Sequence, residues 1–400
     1  MLDLTAPSFM RAPHEQLVRA LDRSCFAETR IILFGKVKLV LGHPEIQDML
    51  KDGGRFAVDA RNAGHASPFG MKFLPASLRV LSENLLALDD PRHRELRHMV
   101  DGPFRRVQIE QLAPSIRETA DQLVDDMSRD GENDIVAGLC RELPLQVIFD
   151  LLGFSGETRG KLHDVMKGLA GGGSAFDVVR AIFRLKPAQA ALRREFENVR
   201  SHPRPGLVSE LANAGGDGGQ MSDDELLAMV FVLFVAGHET TSHLLSTATY
   251  TLLTQPGAAY QFRSLGREAR LVAIDELQRY CSPVQMTKPR HARRDMEFHG
   301  QSLKEGERVM GLLAAGNLDS RVFENPTQLD LARRPNRHLG WGGGPHMCLG
   351  LHLARTEVLE ALSVLFDRFQ ELALDTAPDN LRWTKRTGLR GLKALPLRLQ

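Results

Sequence analysis

One cysteine stands in a setting unlike that of the other three. Cys348 closes the segment Trp341-Gly-Gly-Gly-Pro-His346-Met-Cys348-Leu-Gly350, whereas Cys25, Cys140 and Cys281 are scattered along the chain. No two cysteines have Cys-x-x-Cys spacing, which excludes a zinc knuckle or a dithiol redox motif. The three glycines predict a backbone that a flat ligand can approach closely. Cys348 is expected at the start of a helix, where N–H groups and the dipole favour an anion, so the thiol should ionise easily. A thiolate is a soft ligand for iron or zinc. With no second sulfur nearby it would serve as a single axial ligand, the way haem is held by cysteine, pushing electron density towards O–O cleavage. A buried structural cysteine is the bland alternative, and the loop alone leaves both open.

A second cluster is Ala236-Gly237-His238-Glu239-Thr240-Thr241. Gly237 removes a side chain where a flat cofactor and a diatomic molecule would need room. Thr240 has the reach to bond back to the Ala236 carbonyl and open the helix locally. Glu239 and Thr240 supply an acid and a hydroxyl, a pair suited to relaying the protons that dioxygen reduction consumes. His238 and His243 are five residues apart, about 140° around a helix, so the His-Glu-x-x-His zinc-protease arrangement is excluded. Glu239 also sits among Phe234, Val235, Leu244 and Leu245, where an unpartnered charge costs several kcal/mol.

Three further groups of charges have helical or strand context. Glu276 and Arg279 share one helix face, as do His93 and Arg97. Arg290 lies in an extended stretch. Read alone, each is an ordinary surface charge.

These residues need elements to carry them. Residues 30–42 read as two strands around Gly35, followed by a short helix after Gly42. Helices are expected over Pro114–Arg129 and Pro187–Val199, each with its proline in the first turn. Gly215–Gln220 reads as a flexible loop. Ser222 and Glu225 form a capping box. The helix it starts meets no proline until Pro256, so it runs roughly 30 residues, or about 45 Å, through the body of the protein. A helix over Arg267–Tyr280 precedes a few strands in 286–312. The segment from Arg333 to Gly350 is irregular, and a last helix runs from about Leu349 to Phe369. The expected architecture is one domain over 1–400, mainly α with a minor β portion around 30–42 and 286–312.

Composition narrows the class. The 51 Lys+Arg balance 50 Asp+Glu, which argues against a nucleic-acid binder, and 42% hydrophobic residues argue against a disordered chain. The N-terminus has no secretory pattern. The longest apolar run, Leu226–Gly237, is too short to span a bilayer. Few cysteines suit a reducing cytoplasm. The expectation is a cytoplasmic protein, off the membrane and monomeric.

The cysteine loop resembles the haem-binding loop of the cytochrome P450 monooxygenases, Phe-Gly-x-Gly-x-His-x-Cys-x-Gly, at every position but the first. Ala236–Thr241 resembles that family's oxygen-activating motif, Glu276–Arg279 its Glu-x-x-Arg motif, and His93–Arg97 its propionate pair. The resemblance spans about residues 80 to 370. It implies a P450-like fold whose long central helix crosses haem b. It implies Cys348 as axial iron ligand, with Ala236, Gly237 and Gly350 against the haem and His93, Arg97, Arg290 and His346 at its propionates. Glu239 and Thr240 would be catalytic, and Glu276, Arg279 and Arg333 a structural network. The implied reaction inserts one atom of dioxygen into an apolar organic substrate. Electrons would come from NAD(P)H through a separate ferredoxin or flavodoxin and its reductase. A peroxide-driven peroxygenase and a non-turnover haem sensor are the alternatives. Arg92, Arg94, Arg97, Arg105 and Arg106 form a basic run that would dock an acidic partner. Phe69, Met71, Phe73, Leu74, Met166, Leu169, Phe176 and Phe183, with Gly171–Gly173 as a hinge, would line an apolar pocket. Two departures carry consequences. Trp341 replaces Phe, and its indole N–H would donate to the thiolate. Leu318 replaces an Arg, so a local ion pair is expected to be lost.

Overall fold

The computed structural model describes residues 3–31, 35–65, 76–170, 175–214 and 221–399, with side chains at 76–78, 166–170 and 175–183 outside the description. The architecture is mainly α with a minor β portion. The β residues form a five-stranded sheet of Phe26–Ile31 (β1), Gly35–Val40 (β2), Phe56–Ala57 (β3), Arg290–Ala292 (β4) and Arg308–Gly311 (β7), in the order β1-β2-β7-β4-β3. Two hairpin-like pairs complete it, Met296–Phe298 (β5) with Gln301–Leu303 (β6), and Leu372–Leu374 (β8) with Leu397–Leu399 (β9). β1 and β2 pair antiparallel around Gly35, which takes φ 71°. β3, β8 and β9 are only two or three residues long, too short for alternation to reveal.

The central helix runs Asp223–Thr254. Its start is the capping box, with Ser222 accepting from Glu225 N–H and the Glu225 carboxylate accepting from Ser222 N–H. Arg92 ties the same carboxylate to the helix Arg92–Asp101, Nη2 lying 2.6 Å from Oε1. Among the described residues this is the one helix long and apolar enough to cross a membrane, yet over half of that stretch is buried within the protein. It is a core helix, packed against the terminal helix Leu351–Arg368 and the helix Glu142–Leu152.

Two helices are longer than their prolines suggest. Arg106–Asp130 contains Pro114 and Ala175–Ser201 contains Pro187, each well inside the helix. Both prolines are exposed, so each carbonyl released four residues earlier lies on a face open to water. Apolar periodicity on the opposite face carries each helix through. Gly215–Gln220 lies outside the described residues.

Candidate active site

The central and terminal helices face each other across a cavity of about 840 Å³, part of it open to solvent. Leu233, Ala236, Gly237, Thr240 and Thr241 line it from the central helix, at the spacing of one helical stripe. Gly350, Leu353, Ala354 and Glu357 line it from the other side. His93, Arg97, Trp341, His346 and Cys348 add to the wall, and with Leu85, Leu86, Phe104 and Ile148 residues from five stretches of chain meet here.

The loop before the terminal helix is held by its own backbone. Cys348 N–H donates to the Trp341 carbonyl at 2.9 Å, closing the loop on itself. Gly342 and Gly344 take φ 71° and 63°, and a Cβ on Gly344 would collide with the Leu50 carbonyl. Gly342 and Gly344 therefore serve the turn, and Gly344 also its packing on the helix His43–Lys51. Cys348 is exposed, but into the cavity, with protein surrounding it on almost every side.

The thiol does not ionise as easily as a helix start alone would imply. Burial pushes the Cys348 thiol up to about 11, outweighing the Gly350 N–H and the Arg97 charge. The helix starts at Leu351, three residues on, so the sulfur sits ahead of the helix end rather than on it. A bound metal cation is what deprotonates such a thiol outright.

Across the cavity, Thr240 Oγ donates to the Ala236 carbonyl at 2.7 Å, leaving its oxygen on the wall. Glu239 does not line the cavity. Its carboxylate is turned to Arg386, with His243 Nε2 3.9 Å away. Arg386 lies 147 residues downstream, and no sequence pattern announced it. His238 Nε2 lies 3.0 Å from the Arg141 carbonyl oxygen.

His93, Arg97 and Arg290 gather around His346. The His93 and His346 rings lie 4.0 Å apart. Arg97 Nη1 donates to the Met347 carbonyl at 2.8 Å. Arg290 is buried in β4 without a carboxylate partner among the described residues, and burial lowers it to about 10 against the pull of Asp89. Burial, then His93, Arg290 and Arg97, drive His346 down to about 3. His93 Nε2 is buried with no hydrogen-bond partner. Asp90 Oδ1 lies 3.3 Å from His93 Nδ1, but among the described residues Arg97 and Arg290 have no carboxylate at ion-pair distance. A flat group carrying iron and two carboxylates fits the set: a sulfur ligand on one wall, a side-chain-poor helix opposite, and Arg97, His93 and Arg290 for the carboxylates.

Glu276, Arg279 and Arg333 form a network behind the cavity. Arg279 and Glu276 are fully buried and joined by two bonds of 2.8 Å. Arg279 also donates to the carbonyls of Asn317, Pro326 and Gln328. Arg333 Nε and Asn336 Nδ2 donate to the same carboxylate at 3.1 and 3.2 Å. The network pins the irregular segment 317–339 that leads into the cysteine loop.

Other expectations meet mixed outcomes. Leu318 is buried and uncharged, and a different pair stands nearby, Arg321 bridging Asp319 and Glu45 at 2.6 and 2.7 Å. Arg92, Arg94, Arg105 and Arg106 each have a carboxylate partner, so the run is not a bare basic face. The side chains named for the apolar pocket, Phe69 to Phe183, and Gly171–Gly173 lie outside the described residues. The described apolar wall is Leu85, Leu86, Phe104, Ile148, Val232 and Leu233. Trp341 lines the cavity with its indole N–H buried and unpartnered.

Known proteins match this geometry. The family model described as Cytochrome P450 matches residues 175–263 and 272–390. The chain is 34% identical over 90% of its length to the polyketide biosynthesis cytochrome P450 PksS of Bacillus subtilis, covering 88% of that protein. It is 33% identical to the monooxygenase PikC of Streptomyces venezuelae, over 91% of this chain and 85% of that one. The solved structure of PksS superposes with a TM-score of 0.90 over 100% of both chains at 31% identity. The myxobacterial CYP267B1 in complex with myristic acid gives a TM-score of 0.86 over 99% of this chain and 98% of that one, at 30% identity. Similarity of this extent, together with the thiol-walled cavity, makes the chain a member of the cytochrome P450 family and a haem b-dependent monooxygenase.

Proposed function

We propose that this enzyme inserts one oxygen atom of dioxygen into an apolar polyketide- or fatty-acyl-type molecule, in the cytoplasm. Electrons come from NAD(P)H through a separate ferredoxin or flavodoxin and its reductase. The observation that carries the reading is the cavity itself. It sets the Cys348 sulfur on one wall and the Thr240 hydroxyl on the other, with an apolar lining between Leu85 and Leu233. PksS is named for polyketide biosynthesis and CYP267B1 was solved with myristic acid, which supports the substrate class.

Bound haem supplies the oxygen-activating redox chemistry. Cys348 would hold its iron, Arg97 and Arg290 would offset the charge of its carboxylates, and His93 would donate a hydrogen bond to one of them. Phe104, Ile148 and Leu233 keep water from the reacting end and hold an apolar substrate by burial. Thr240, freed from strict helix geometry by its bond to Ala236, presents a hydroxyl to the cavity. Glu239 takes protons from solvent on the Arg386 side and supplies them towards that hydroxyl.

The test is the spectrum of the dithionite-reduced, carbon monoxide-bound protein, for wild type and Cys348→Ser. A strongly red-shifted Soret band lost in the variant supports the ligand assignment. An unchanged band refutes it. Spin-state shifts with macrolide aglycones and long-chain fatty acids then test the substrate class, and a complete lack of response to both would overturn it.

A further inference from the structure

The stretch that follows the helix Arg267–Cys281 runs beside the turn that carries Arg386. Val284 pairs with Leu389, Gln285 N–H donates to the Gly388 carbonyl at 2.9 Å, and Arg390 N–H donates to the Pro283 carbonyl at 2.8 Å. Thr287 is fixed on β7, its N–H donating to the Gly311 carbonyl and its hydroxyl accepting from Gly311 N–H. Lys288 comes next, and Arg386 is near enough for its charge to act on the ammonium group. Arg386 in turn gives Nη1–H to Glu239 on the central helix, the residue before Thr240 of the cavity wall. Two cations from distant parts of the chain thus stand together beside the cavity.

Lys288 is not an ordinary surface lysine. It is exposed, yet protein surrounds it on almost every side, the condition Cys348 shows in the cavity. Burial and the Arg386 charge both pull its ammonium group below the usual lysine range. The Arg386 side chain is 52% exposed, and among the described residues Glu239 is its one hydrogen-bond partner. From the central helix, Glu239 and His243 face the pair, and burial with the Arg386 charge holds His243 neutral, at about 3. Lys288 and Arg386 against Glu239 leave positive charge in excess among the described residues. Enclosed positive charge next to apolar surface is costly without an anion. A carboxylate has two oxygens and can take a guanidinium and an ammonium at once.

We propose that the substrate is an apolar acid, not a neutral ester or lactone, and that Lys288 and Arg386 hold its carboxylate while Leu85, Ile148 and Leu233 bury its chain. The two cations set specificity, and no bond changes at them. The inference rests on the acyl-substrate reading above and narrows it. Arg386 takes the incoming carboxylate on the N–H groups that Glu239 leaves unused, so the Glu239 contact stays in place. A thioester or a macrolactone presents no carboxylate and would leave both cations against uncharged surface. Pinning the acid end also fixes how far along the chain the reacting carbon lies.

The test is spin-state titration of the haem-loaded full chain at neutral pH with myristic acid, methyl myristate and myristyl alcohol, then product analysis with myristic and palmitic acids. Wild type should bind the acid about tenfold or more tightly than the ester or the alcohol. Lys288→Met should lose most of that preference through weaker acid binding, Lys288→Met/Arg386→Gln all of it, and Lys288→Arg should keep it. The two acids should be oxidised at the same carbon counted from the carboxyl group. Equal binding of acid, ester and alcohol by wild type overturns the proposal alone. So does a preference that survives the double variant, or an oxidation site counted from the methyl end. A wild type that answers macrolide aglycones but no acid also overturns it and leaves the acyl reading standing. One that answers neither takes that reading down, and this proposal with it.

Discussion

Replacing Glu276 by Gln tests the network behind the cysteine loop. The substitution keeps shape but leaves two guanidinium groups, Arg279 and Arg333, buried around a neutral amide. Breaking one buried pair in this way costs about 3–5 kcal/mol, and sharing the carboxylate between two arginines places this case at the upper end. Global stability is typically ~5–15 kcal/mol, so a third or more of it should be lost. The double variant Glu276→Leu/Arg279→Met sharpens the argument. A simple buried pair is often replaceable by apolar residues at no net cost. Here Arg279 also satisfies the carbonyls of Asn317, Pro326 and Gln328, each costing ~1–3 kcal/mol when orphaned. The double variant should therefore stay well below wild type. Urea unfolding of the haem-loaded protein, followed by far-UV circular dichroism, reads both. A loss under about 1 kcal/mol in Glu276→Gln, or a double variant as stable as wild type, would refute the reasoning.

Other substitutions probe the cavity and its supports. Thr240→Val removes the bond to Ala236 and the cavity hydroxyl, and should divert electrons from product to peroxide in a coupling assay. Trp341→Phe should lower the haem reduction potential and speed autoxidation if the buried indole N–H meets the thiolate; unchanged values would exclude that contact. Ser222→Ala breaks the capping box and should cost about 1 kcal/mol in the same unfolding assay. Glu357 keeps in the folded state a proton that the unfolded chain releases above its ordinary value of 4.5, so its contribution is full below that pH and fades up to about pH 8. Glu357→Gln should remove that downward slope, at most about 1.4 kcal/mol per pH unit.

The reach of sequence reasoning here follows the range of each interaction. The capping box at Ser222 and the strands around Gly35 depend on residues a few positions apart, and periodicity reveals them. The cysteine loop is equally local. Arg386 on Glu239 and Arg321 on Glu45 are separated by 147 and 276 residues, and nothing local marks them as partners. The prolines misled for a different reason. An interior proline loses one hydrogen bond and crowds the preceding turn, and hydration of the freed carbonyl lessens the cost at Pro114 and Pro187, whose exposure is a tertiary fact. At Cys348 the helix-end argument leaves out desolvation, which pushes the thiol up in this cavity.

The cavity wall also dictates a timetable. Its pieces run from Leu85 to Glu357, with the sulfur ligand arriving almost last. At ~5–20 residues per second on the ribosome, roughly 12–50 s separate Phe104 from Cys348. Throughout that interval the nascent chain holds its early cationic groups, His93 and Arg97, without the loop or the terminal helix that completes their surroundings. Prosthetic-group capture is therefore a closing event of biosynthesis, and a cell short of haem would accumulate chains that are nearly folded yet hollow at the centre.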